Sequence, residues 1–326
     1  MDTILIKEGS AFSLLEQLHQ QLGGELSKES LTLNNQSFEL DIKLYSLING
    51  ADISIYYCKP KQDVQLIIES EENQNDYYIM RFEYDAQIGR NTTDQIQQNS
   101  VSTEAMIAYK SFYSFKSKLK SNQKNQWVSI RFHKNQIADS FPEFKNILNA
   151  IFPSSKLWVK YSIAPIEVHL LLADIFKLDL SSPSPKNNSI ILSRLIECIG
   201  IFYERVTQNS IQHSLHPEDF DQILKVKEYL MNHLENQKPT LDELAEVYGY
   251  SSSKLKRDFM SVFGISTHNF YQQQRLENAK LLLTTKNYEI TDIARKFGYS
   301  TVSKFSFAFK KQFGVTPKSI ALKYQK

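Results

Sequence analysis

The chain has 326 residues, 41% hydrophobic and 23% charged, a composition that fits a globular protein of two domains and excludes a disordered or fibrous one. No run approaches the ~20 consecutive apolar residues of a membrane-spanning helix, and Met1–Leu18 lacks the basic stretch and apolar run of a signal peptide. The net charge of +2 conceals a split: Phe220–Lys326 holds 17 Lys+Arg against 10 Asp+Glu, net +7, while residues 1–219 are net −5, so the second part suits a polyanionic partner. In chain order, residues 31–133 read as mostly strand. Apolar and charged residues alternate through Phe38–Leu44, and Ile53–Tyr57, Val64–Glu69, Tyr77–Tyr84 and Trp127–His133 continue the pattern. Short strands at this spacing predict an antiparallel barrel or sandwich. Lys116–Lys124, with four Lys in nine residues, reads as a solvated hairpin turn.

After Pro142 the period changes. Ile166–Phe176 predicts a short apolar helix, Ser181–Ser189 a loop, and Ile190–Val206 a longer helix. The longer helix carries Ile191, Leu195, Cys198 and Phe202 at i, i+4, i+7 and i+11, a stripe that fits its own sheet or a homodimer contact. Gln208–Pro217 is polar and aperiodic. The expected organisation is residues 1–208 as an N-terminal sensor or dimerisation domain, 209–219 as linker and 220–326 as an all-helical domain, α+β overall. Two cysteines, Cys58 and Cys198, fit a reduced cytoplasmic protein. His213 and His216 have no Cys or carboxylate cluster beside them and read as solvated linker; His133 and His169 read as structural histidines. With no metal cluster, phosphate loop or nucleophile–base pair in the sequence, neither a cofactor nor an enzymatic activity is expected.

The most informative feature is an internal repeat. Leu241-Asp242-Glu243-Leu244-Ala245-Glu246-Val247-Tyr248-Gly249-Tyr250-Ser251 returns 49 positions later as Ile290-Thr291-Asp292-Ile293-Ala294-Arg295-Lys296-Phe297-Gly298-Tyr299-Ser300. One inserted residue then shifts the offset to 50, so Leu255, Phe259, Phe263 and Gly264 match Phe305, Phe309, Phe313 and Gly314. Each unit reads as a helix-turn-helix. The Ala permits close helix approach, Gly249 and Gly298 suit a turn with φ > 0, and Ser251 and Ser300 suit caps for the second helices. Those helices are expected to bury Leu255, Phe259 and Val262, and Phe305 and Phe309. Their opposite faces present Ser253 and Arg257 flanked by Lys254 and Lys256, and Ser303, Phe307 and Lys311 flanked by Lys304 and Lys310. Hydroxyl and basic groups on a helix in the major groove read base edges and hold phosphates. Asn269–Thr284 lacks Gly and Pro and predicts a continuous linker helix, a rod that would set two reading helices about one DNA turn apart, ~34 Å.

On these residues, with Arg275-Leu276…Ala279…Leu281-Leu282 and the closing Phe305-Ser306…Phe309-Lys310-Lys311…Phe313-Gly314-Val315-Thr316-Pro317, Ile223–Tyr324 resembles the DNA-binding domain of the AraC/XylS family of bacterial transcription regulators. The resemblance implies sequence-specific binding of double-stranded promoter DNA and activation through RNA polymerase. It implies DNA contact by Ser251, Ser252, Ser253, Lys254, Lys256 and Arg257, and by Ser300, Thr301, Ser303, Lys304, Phe307, Lys310 and Lys311. Arg257 matches the family's Arg; Phe307 stands where the second unit commonly has Arg, and a Phe touches a thymine methyl or packs. The strand-rich front half followed by helices resembles the family's cupin-like sensor domains, and Ile163–Val206 the siderophore-responsive PchR-type branch, implying a small-molecule effector and a homodimer. Two alternatives remain: a ligand-independent regulator whose front domain only oligomerises, and an enzyme domain fused to the DNA module. The latter would need a reactive Cys cluster, and the front strands hold Cys58 alone.

Overall fold

The structure is a computed structural model that describes residues 2–69, 77–84, 105–110, 115–133, 145–152, 159–182, 184–207, 217–235, 238–284 and 288–324. The segment holding His213 and His216 lies outside the described residues. The described chain divides into one compact unit from residues 1–85 and 104–217 and another from 218–326. No helix among the described residues is long and apolar enough to cross a membrane.

The N-terminal unit is built from β1 (Asp2–Lys7), α1 (Ala11–Leu22), β2 (Glu25–Leu26), β3 (Ser30–Asn34), β4 (Phe38–Ile48), β5 (Ala51–Pro60), β6 (Val64–Glu69), β7 (Tyr77–Tyr84), β8 (Ala105–Lys110), β9 (Phe115–Leu119), β10 (Asn125–His133), α2 (Lys145–Ile151), β11 (Val159–Ile163), α3 (Ile166–Phe176) and α4 (Pro185–Thr207). Eight strands form an antiparallel sheet in the order β11-β8-β7-β10-β5-β4-β3-β2. A second sheet runs β1-β6-β9, with β1 parallel to β6. Strand alternation sorts the large sheet's side chains into two cores. Val128 sits opposite Ile55 and Phe82, and Ile130 opposite Ile53 and Met80; these residues meet α2, α3 and α4 in one core. From the other face Tyr56, Cys58 and Trp127 meet Ile4, Ile6 and Leu66 of the small sheet and Leu14, Leu15 and Leu18 of α1 in a second core. The edge of β1 is closed by side chains of α1: Gln21 Nε2 donates to Leu5 O at 2.7 Å and Gln17 Nε2 to Lys7 O at 2.9 Å, while Leu5 N and Lys7 N donate back to the same two amides.

Two expectations need correction, and one open alternative is resolved. The segment Lys116–Lys124 is not a hairpin turn throughout. Its first part lies in β9, paired with β6, and only Ser121–Asn122 turns, with Asn122 at φ 60°; β10 then joins the other sheet. The loop Ser181–Ser189 ends early, because Pro185 occupies the first turn of α4, where its missing N–H costs nothing, and Ser184 Oγ accepts from Asn187 N at 3.4 Å. The stripe Ile191, Leu195, Cys198 and Phe202 is 2% exposed or less, and Phe202 meets Phe82 edge-on at 6.4 Å. Its own sheet covers it, so those four side chains are not available as a homodimer surface.

The C-terminal unit contains α5 (Pro217–Asn232), α6 (Leu241–Tyr248), α7 (Ser252–Phe263), α8 (Thr267–Thr284), α9 (Ile290–Lys296), α10 (Val302–Phe313) and α11 (Pro317–Tyr324). Its core holds Leu230, Leu244, Leu255, Phe259, Phe270, Ile293, Phe305 and Phe309, all 3% exposed or less. The 18 residues of α8, about 27 Å at 1.5 Å each, are buried at positions all round the helix, because α7, α9, α10 and α11 all contact it. Tyr271 on α8 donates its hydroxyl to His233 O at 2.9 Å, fastening this rod to the end of α5.

Candidate nucleic-acid interface

Two helix pairs, α6–α7 and α9–α10, repeat one local design. Each first helix ends on a glycine in the left-handed region, Gly249 at φ 70° and Gly298 at φ 69°. In each turn the following Tyr N–H reaches back five residues to the Ala carbonyl, Tyr250 to Ala245 at 2.8 Å and Tyr299 to Ala294 at 2.9 Å. This is the C-terminal closure for which a glycine is best suited. The first pair opens on a reciprocal cap, with Glu243 N donating to Thr240 Oγ1 at 3.2 Å and Thr240 N to Glu243 Oε2 at 2.7 Å. The repeat extends one helix further than the sequence reading placed it. Gly264 and Gly314 end α7 and α10 at φ 70° and 73°, and Ser266 and Thr316 then cap α8 and α11 through Asn269 N and Ser319 N.

The second helices are capped by Ser251 Oγ, which accepts from Lys254 N at 3.2 Å, and by Thr301 Oγ1, which accepts from Lys304 N at 3.2 Å. Thr301 therefore takes the capping place expected of Ser300, because the inserted residue moves the cap by one position. Leu255, Phe259, Phe305 and Phe309 are fully buried as the period requires. Val262 is only half-buried and Phe263 is buried instead, since the inner ridge follows i+4 steps from Leu255.

The outward faces are unlike. On α7, Ser252 Oγ is spent on Asp242, and Lys254 bonds both Asp219 and Asp258, the latter at 2.7 Å, with its Nζ 4.6 Å from the Tyr250 ring centroid. Burial alone would lower the Lys254 pKa; hydrogen bonds to Asp219 and Asp258 outweigh it and hold the pKa above its ordinary value. Burial also pushes Tyr250 up to about 12, with Lys254 opposing and Asp219 and Asp258 adding. Asp258 is 2% exposed and also accepts from Arg257 Nε at 3.1 Å, while the Arg257 side chain is 64% exposed. That leaves Ser253, Lys256 and the outer edge of Arg257 facing solvent.

On α10 the residues aligned with Arg257 and Asp258 are Phe307 and Ala308. The arginine and the acid that orients it are thus replaced together. Phe307 is 74% exposed, the highest among the large hydrophobics of the described residues. Lys304, Lys310 and Lys311 are exposed and carry no ion pair among the described residues, and α10 contains no acid. Lys310 and Lys311 lie in the last turn, where cations also complement the helix dipole. Ser300 and Ser303 are exposed beside them. The sequence reading missed Asp219 and Asp258; the Lys254–Asp258 spacing of four was the available signal. It quoted Arg275 of α8 without giving it a role; the guanidinium stacks 5.3 Å from the Tyr299 ring centroid and 5.5 Å from that of Tyr271.

Residues 244–321 match the family model of a helix-turn-helix domain. An uncharacterized HTH-type transcriptional regulator of Staphylococcus aureus strain COL is 28% identical over 189 residues, 58% of this chain and 24% of that protein. The arabinose operon regulatory protein of Escherichia coli strain K12 is 32% identical over 108 residues, 33% of this chain and 37% of that protein. Among solved structures, the C-terminal domain of AraT, a response regulator from Geobacillus stearothermophilus, is 31% identical with a TM-score of 0.29, over 31% of this chain and 84% of that one. The chain spans 24% of the length of the staphylococcal relative. The C-terminal unit is a helix-turn-helix domain. More particularly, it is of the AraC type.

Proposed function

We propose that the protein is a sequence-specific DNA-binding transcription regulator whose α7 and α10 enter the major groove of promoter DNA. The observation that carries this reading is the repeated helix pair packed on one continuous helix, with an exposed, cation-bearing face on each second helix. Arg257, held by Asp258 through Nε, presents its two terminal nitrogens to the O6 and N7 acceptors of a guanine. Lys304, Lys310 and Lys311 neutralise phosphates, and Phe307 touches a thymine methyl. The N-terminal unit regulates this activity through a small effector or self-association. Such a protein works in the cytoplasm with RNA polymerase as a second partner.

In-vitro selection from random duplexes with the full-length protein, followed by footprinting, tests the reading. Two short motifs centred about one helical turn apart, ~34–36 Å, are expected. A single motif with flanking protection would restrict base reading to α7, and failure to enrich any sequence would reject the proposal.

A further inference from the structure

Between α1 with the small sheet and the facing side of the large sheet lies a cavity of about 70 Å³. A water needs ~10–15 Å³ measured this way, so the space holds several waters or one small organic molecule. Its lining is mainly aliphatic and aromatic, with Leu14, Leu18, Leu40, Leu66 and Trp127 among the contributors, and Cys58 also faces it.

One wall differs. Arg131 on β10 lines the cavity at 3% exposure and donates through Nη2 to Glu8 Oε2 at 2.7 Å; Glu8 is 1% exposed. The Tyr109 hydroxyl donates to the other Glu8 oxygen at 3.4 Å. Arg131 Nε and Nη1 are both buried and have no hydrogen-bond partner among the described residues. A buried guanidinium with two unmade hydrogen bonds is costly, so the site favours an occupant that accepts them.

Charge decides what kind of acceptor fits. Glu8 already neutralises Arg131, and the neighbouring Arg81, which also lines the cavity, pairs with Glu83 at 3.1 Å. An added carboxylate would leave a net negative charge among apolar walls, which is strongly unfavourable. Geometry agrees: the two unpartnered nitrogens flank Cδ and share no edge of the guanidinium, so they cannot clamp both oxygens of one carboxylate.

We infer that this cavity binds a small, neutral, mostly apolar molecule bearing one or two carbonyl or hydroxyl oxygens, with an oxygen on Arg131. As a route of regulation the site rests on the DNA-binding reading above; as a binding site it stands without it.

The test uses full-length protein and three probes of equal chain length: hexan-2-one, hexanoate and hexylammonium. Hexan-2-one is expected to raise the melting temperature by about 2–4 °C and to slow N-ethylmaleimide labelling of Cys58 severalfold. Cys198, buried in the other core, serves as the internal control and should change less. Hexanoate and hexylammonium should do neither. Arg131→Met should abolish the ketone's advantage. Because that variant breaks a buried ion pair, Leu18→Phe, which fills the cavity and leaves the pair intact, should fold and lose the ketone response. The site is overturned if no probe acts, the result for a cavity holding water only. It is overturned equally if hexylammonium matches the ketone or if Leu18→Phe retains the response. DNA affinity measured with and without ketone separates the two readings. Ketone binding with unchanged DNA affinity keeps the site and rejects its regulatory role. Ketone binding by a protein that selects no DNA keeps the site and rejects the function proposed above.

Discussion

Arg257 is tethered at one nitrogen and open at two, an arrangement that fixes where its fork points while leaving the fork available. Replacing it with Ala should cost about 1–3 kcal/mol of binding and relax preference at one base pair. Competition binding against single-base variants of the selected site checks this, and unchanged preference would reject the role given to α7. His169 poses a different residue-scale question. It lies 7% exposed on α3, and burial pushes its pKa down to about 4, partly opposed by a backbone hydrogen bond with Ala164. The unfolded chain takes up that proton near pH 6.5. Above pH 6.5 both states are neutral at this site and stability is flat. Between 6.5 and 4 only the unfolded state is protonated, so stability falls with pH, by on the order of 3 kcal/mol in all. Urea unfolding at a series of pH values should show a loss smaller by about that amount in His169→Gln.

At the scale of elements, the two turn glycines are alike in φ and unlike in surroundings. A Cβ at Gly249 would meet nothing within 4 Å, whereas one at Gly298 would sit 2.5 Å from Arg275 Nη2. Gly249→Ala should therefore cost only the left-handed strain, about 1–2 kcal/mol. Gly298→Ala should cost roughly 0.5–1 kcal/mol more as Arg275 leaves the Tyr271 and Tyr299 rings, and paired unfolding curves would show the difference. Elements with a clean period were legible from sequence: β6, β7 and α3 lie where alternation and helical spacing put them. The strand β8 was not, because all six of its residues are buried and Ala105–Lys110 offers no alternation to detect. Equally hidden was β1, whose parallel partner β6 lies some sixty residues away. In the candidate site the repeat made the turns and inner faces legible. That Asp219 engages Lys254 was not legible, since it comes from another helix; the four-residue spacing of Lys254 and Asp258 gave the pair but not its burial, because Asp258 reads as a surface acid until the fold covers it.

For the whole molecule, the charge split between its two parts takes a definite form. The cations left exposed on α7 and α10 besides Arg257 are Lys256, Lys304, Lys310 and Lys311. If those four each displace a counterion, log K against log salt should fall with a slope of about −4. Lys311→Ala should flatten it by about one unit and weaken all sequences alike. Titrations at several salt concentrations read both values. At the other end of the chain, Gln17 and Gln21 give the β1 edge the hydrogen bonds a neighbouring strand would have supplied. That edge thus needs no further strand, and a stretch as apolar as Ile4-Leu5-Ile6 offers no template for another chain to extend. Two amides one helical turn apart act as a built-in safeguard against fibre growth.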